Sequence, residues 1–81
     1  MWIEVSEQNI SDGKKCSKTS CPIGLAIKER LGLKHGVMVW PDRVKIKGKR
    51  IDLDERTAYA IEIFDATGFM KPIGFELDYE E

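Results

Sequence analysis

Apolar positions recur along this chain with two periods, and the places where one period gives way to the other mark its elements. Ile3 and Val5 alternate with polar neighbours, which predicts a short strand over Trp2 to Val5. Ser6 is placed to cap a brief polar helix through Ile10, and Gly13 to end it. A polar loop carrying Lys14, Lys15, Cys16 and Lys18 runs from Asp12 to Ser20. Ser20-Cys21-Pro22 then reads as a helix start, since the N–H that proline lacks has no partner in a first turn anyway. Ile23, Ala26, Ile27 and Leu31 follow at helical spacing, with Lys28, Glu29 and Arg30 on the wet side and Gly32 as the stop. Gly24 within this helix costs about 1 kcal/mol relative to alanine, which suggests a close backbone approach.

Beyond Gly36 the period falls to two. Val37 to Trp40 is a nearly continuous apolar run, which reads as a strand buried on both faces or as an ambiguous segment. Pro41-Asp42 makes a turn, after which Arg43-Val44-Lys45-Ile46-Lys47 alternates cleanly, with Val44 and Ile46 inward. Gly48-Lys49 makes a second turn, and Arg50 to Leu53 completes a three-stranded meander. Asp54 caps a second main helix whose inward stripe is Thr57, Ala60, Ile61 and Phe64, ended by Gly68. Ile73, Phe75, Leu77 and Tyr79 form one side of a final strand. The order β-α-α-β-β-β-α-β over residues 1–81 predicts one compact α+β domain, an antiparallel or mixed sheet with two main helices packed on one face. Trp2, Trp40, Tyr59 and Tyr79 are expected in the core or at sheet edges.

Composition narrows the function classes. In 81 residues a deep active site competes with the core for volume, which argues against catalysis. The formal net charge of −1 hides an asymmetry: residues 1–50 sum to +6 and residues 51–81 to −7. No apolar run reaches membrane-spanning length, and the start carries no secretory leader, so a cytoplasmic protein with reduced thiols is expected and a membrane partner is not. Walker-type loop, GxGxxG, HExxH and nucleophile elbow are all missing, so neither a cofactor nor an enzyme is expected.

Cys16 and Cys21 with His35 fall short of a structural zinc site, which wants four ligands, and no flanking signature supports a Cys–His nucleophile. The expectation is a small buried side chain anchoring the loop to the helix start. The stronger candidate is the basic strand. Alternation puts Arg43, Lys45 and Lys47 on one exposed face at spacings of roughly 6.5–7 Å, near the phosphate repeat of a nucleic-acid strand. Lys49 and Arg50 lie close by and complete a site for an anion or an acidic partner. No aromatic interleaves with these cations, so a base-stacking platform is missing. The acidic half supplies the converse surface: Glu62 and Asp65 on the helix, with Glu76 and Asp78 on the last strand, facing a basic partner.

Ser20-Cys21-Pro22-Ile23-Gly24-Leu25-Ala26 resembles the SCPIALA segment of small proteins encoded in bacteriophage and prophage genomes, with Gly24 in place of the usual alanine. The resemblance extends to the strand and polar helix around Val5 to Gly13. It takes in Phe64-Asp65 with Gly68, then Pro72, then Phe75-Glu76-Leu77. Those proteins have no established activity, so the resemblance carries no site residues. It implies phage origin and a binding role against a host protein, as an anti-defence or host-takeover inhibitor. Binding of nucleic acid or an anionic nucleotide through the basic strand is the alternative.

Overall fold

The computed structural model describes residues 1–80 and has the element order read from the sequence. Strand β1 (Trp2–Val5) is followed by helices α1 (Glu7–Asp12) and α2 (Pro22–Leu31). Strands β2 (Val37–Val39), β3 (Arg43–Ile46) and β4 (Lys49–Asp52), helix α3 (Glu55–Thr67) and strand β5 (Ile73–Glu76) complete the chain. The strands divide between two antiparallel sheets, a pair β1-β5 and a meander β2-β3-β4. No helix among the described residues is long and apolar enough to cross a membrane.

Local chemistry fixes the helix ends. Ser6 and Asn9 form a reciprocal capping box on α1. The Cys21 thiol, not Ser20, caps α2 by accepting from the Gly24 N–H at 3.4 Å. Asp54 caps α3 through the Thr57 N–H at 2.7 Å. Gly32 and Gly68 end α2 and α3 in the left-handed conformation that glycine adopts without steric cost.

The core is continuous. Ile3, Val5 and Phe75 from the paired strands meet Ile23 and Ile27 of α2, Val44 and Ile46 of the meander, and Ile61 and Phe64 of α3. Thr57 is buried with them and Ala60 only half-buried. The Met1 amine donates to the Leu77 carbonyl at 2.8 Å and the Leu77 N–H to the Met1 carbonyl at 2.7 Å, prolonging the β1-β5 ladder beyond its ends.

Several sequence expectations change at this level. Strand β2 is buried on one face only: Met38 points outward and is 39% exposed between buried Val37 and Val39, because nothing covers the outer face of the meander there. Gly24 marks no close approach, since a Cβ added to it meets Val39 Cγ2 at 3.4 Å, an ordinary contact. Trp2 sits at a sheet edge, on β1, and is 52% exposed, whereas Tyr59 lies on α3, 65% exposed, in neither the core nor a sheet edge. Trp2 lies on the outer face of β1-β5 with its indole over Gly74, a packing that only the missing Cβ of glycine permits.

Candidate functional site

The five cations read as one site do not share a face. Lys47 leaves the strand: Ile46 pairs with Lys49, so Lys47-Gly48 is a two-residue hairpin turn, with φ of +51° and +84° as a type I′ turn requires. The turn falls one residue earlier than the spacing predicts, which moves Lys49 onto the inner side of the meander, 5.9 Å over the Tyr79 ring. On the outer face the cross-strand row is Met38-Lys45-Arg50, flanked by the pair Arg43-Asp52. Both arginines are engaged with carboxylates, Arg43 with Asp42 at 2.8 Å and Arg50 with Asp52 at 3.0 Å. Lys45 alone of the five reaches the main cavity.

An aromatic does lie among the cations, contrary to the sequence expectation. Trp40 is flanked by the Arg43 guanidinium at 4.5 Å and the Lys18 ammonium at 5.6 Å from its ring centroid. Sequence alternation along β3 could not show this, because Trp40 precedes the turn and Lys18 comes from the loop before α2. With both neighbours over its ring, this indole is stacked already.

The acidic residues are also dispersed. The Asp65 carboxylate accepts the Cys16 N–H at 2.9 Å and so fastens the 13–20 loop to α3. Glu76 pairs with the Met1 amine at 3.3 Å, and Asp78 lies beside β4. Glu62 is exposed on α3. These four carboxylates do not gather into one surface, and two of them, Asp65 and Glu76, are engaged locally.

The two cysteines differ in environment. Cys16 is exposed, and Cys21 is buried at the head of α2; both thiols are free. Burial pushes the Cys21 thiol above its usual range, partly offset by the Gly24 and Ile23 N–H groups directed at it. Cys21 therefore stays a neutral cap, the anchoring role expected of it, while Cys16 is not buried. Among the described residues no group of three or more potential metal ligands comes together.

What the fold assembles instead is a cleft of about 700 Å³ along the free edge of β2, within the range of about 300–1,000 Å³ typical of binding pockets. Lys28 from α2, Lys34 and His35 from the connection after Gly32, and Lys45 from β3 line it. Val37 and Met38 give it apolar surface, and Thr19 closes one end, its carbonyl accepting from Lys28 Nζ at 2.5 Å. Among the described residues no carboxylate lines the cleft.

Backbone register adds a polar element. The Lys47 N–H donates to Gly36 O and the Trp40 N–H to Arg43 O, so alternation turns the Val37 and Val39 backbone groups away from β3. The Val39 N–H is taken by Lys18 O at 2.7 Å, whereas no partner of the Val37 N–H or carbonyl exists among the described residues.

Lys28, Lys34 and His35 were not in the sequence-predicted site. Lys28 reads as ordinary solvated helix surface, and His35 draws attention only as a metal or catalytic ligand. The available signal was position: a basic Lys34-His35 pair between a helix stop and an edge strand. No family model, curated protein or solved structure matches the chain.

Proposed function

We propose that this protein is a non-catalytic binding module that takes an acidic, extended segment of a protein partner into the cleft beside β2. The observation that carries the reading is the convergence of Lys28, Lys34, His35 and Lys45 on one cleft whose apolar surface includes the exposed Met38. An acidic peptide offers carboxylates to these cations and apolar side chains to the exposed Met38. A free phosphate answers the cations but leaves the Met38 surface uncovered. The flanking outer face also disfavours a long polynucleotide, since Asp42 and Asp52 stand beside Arg43 and Arg50 and interrupt the positive track. On the phage resemblance the partner is a host protein, and masking its acidic segment is the inhibitory act.

The test is affinity capture from host lysate with and without nuclease, comparing the parent protein with the double variant Lys34→Glu/Lys45→Glu. Both lysines are exposed, and no internal hydrogen bond or ion pair of either exists, so the variant keeps the fold. The expected result is one stoichiometric protein that survives nuclease and is lost with the variant, corresponding to affinity weakened by about 30-fold or more. Recovery of nucleic acid, or a captured protein indifferent to the variant, overturns the reading.

A further inference from the structure

The far edge of the same meander is open, and its charges are arranged to meet their own copy. Lys49 pairs with Ile46 across the turn, and the Leu53 N–H donates to Asp42 O at 2.9 Å. By alternation Lys49, Ile51 and Leu53 direct their backbone groups at β3, and Arg50 and Asp52 direct theirs away from it. Neither Arg50 nor Asp52 has a backbone partner on that side among the described residues. A groove of about 300 Å³ runs beside β4, bounded by Lys49 to Asp52 and by Asp78.

We propose that β4 pairs antiparallel with β4 of a second copy about a twofold axis through Ile51, joining two three-stranded sheets into one of six. In this register Arg50 stands opposite Asp52 of the partner subunit and Asp52 opposite Arg50 of the partner subunit. Four backbone hydrogen bonds form, because these are the residues whose N–H and C=O groups point outward. The side chains of Arg50 and Asp52 lie on the outer face, where they already pair at 3.0 Å within the strand. Across the axis they become a row of four alternating charges. On the inner face Ile51, 6% exposed, meets its own copy and continues the core.

Charge selects both the occupant and the register. Moving the axis to Arg50 sets arginine against arginine, and moving it to Asp52 sets aspartate against aspartate, each a like-charge pair that destabilises a ladder. The axis through Ile51 alone sets both Arg50 and Asp52 against their opposites. A strand of any other sequence has no reason to match the Arg-Ile-Asp order, whereas a second copy matches it by symmetry. With four residues a side the interface is short, so the dimer is weak, with a dissociation constant on the order of 10–100 µM.

Sedimentation equilibrium of the full chain from about 10 µM to about 1 mM tests this. The expected result is a reversible monomer–dimer equilibrium. Arg50→Pro removes an N–H that the monomer does not use, so it leaves the fold intact and weakens the dimer by about 30-fold. Arg50→Asp and Asp52→Arg each weaken association, and the exchange Arg50→Asp/Asp52→Arg restores it. A monomer across the whole range overturns the proposal. So does a dimer indifferent to Arg50→Pro, or one that the exchanged pair fails to restore.

Discussion

The two edges of the three-stranded meander, β2 and β4, are similar in length and opposite in fate. On β2 the 13–20 loop lies along the strand and takes the Val39 N–H, and Val37 is buried at the floor of a basic cleft. On β4 no described backbone group pairs with the outward groups of Arg50 and Asp52, which lie between charged side chains in a groove bounded by Asp78. The sequences of the strands do not explain this. Val37-Met38-Val39 is the more apolar and would be the greater hazard if left bare, and it is the one that receives a cover. Lys49-Arg50-Ile51-Asp52 protects itself against indiscriminate pairing by charge, and the same charges are self-complementary in one register.

The contrast can be broken most forcefully at the amide that the covered edge uses. Val39→Pro removes the bond to Lys18 O and a buried side chain, and should cost about 3 kcal/mol or more. Arg50→Pro, at the open edge, should cost under about 1 kcal/mol, since no monomer backbone hydrogen bond is lost and the exposed Arg50–Asp52 pair is worth little. Urea denaturation of the two variants at low protein concentration measures the difference. Equal losses would show that the edges are not distinguished as the hydrogen bonds indicate.

A smaller effect is expected where the cover is fastened. Asp65→Ala frees the Cys16 N–H and should cost about 1 kcal/mol. The informative readout is amide hydrogen exchange: the Val39 amide should exchange several-fold faster in the variant and the β3 amides of Arg43 and Lys45 should not. An unchanged Val39 amide would mean that the loop is held elsewhere.

The smallest effect lies at the end of β4, where the chain passes through Leu53 into the cap of α3. The Thr57 N–H beside Asp54 holds this carboxyl below its usual range. A lowered folded-state value contributes stability that is present above the unfolded value, near 3.8, and is lost as the pH falls through the folded one. Asp54→Asn keeps a capping oxygen that does not titrate in this range. Its melting temperature should fall less than that of the parent between pH 6 and pH 3. The same drop in both proteins would remove Asp54 from the acid response.

Much of the fold is legible because its determinants are local. Ser6, Asp54, Gly32 and Gly68 act on backbone groups within a turn of themselves, and the alternation of Val44 with Ile46 needs only one apolar face. Legibility failed where one residue of register mattered. Placing the turn at Gly48-Lys49 rather than Lys47-Gly48 requires no positive φ at lysine, and it kept Lys47 on the strand. The tertiary structure accepts that φ and thereby separates Lys47 and Lys49 from Lys45. The candidate site was legible in one residue, Lys45. Its other charged members lie 10 to 17 positions earlier in the chain, on a helix and a connection whose direction relative to β3 no local pattern specifies.

The sequence by itself determined the order of elements, their capped ends and the apolar set that fills the core, because propensity, capping and periodicity act over a few residues. Tertiary structure alone decided which cations share a cleft, which carboxylates are spent on loops and termini, and which sheet edge stays open. Those outcomes depend on where the 13–20 loop and the α2–β2 connection come to rest. That position follows from the packing of α2 and α3 against the whole core, and no short stretch of chain encodes it.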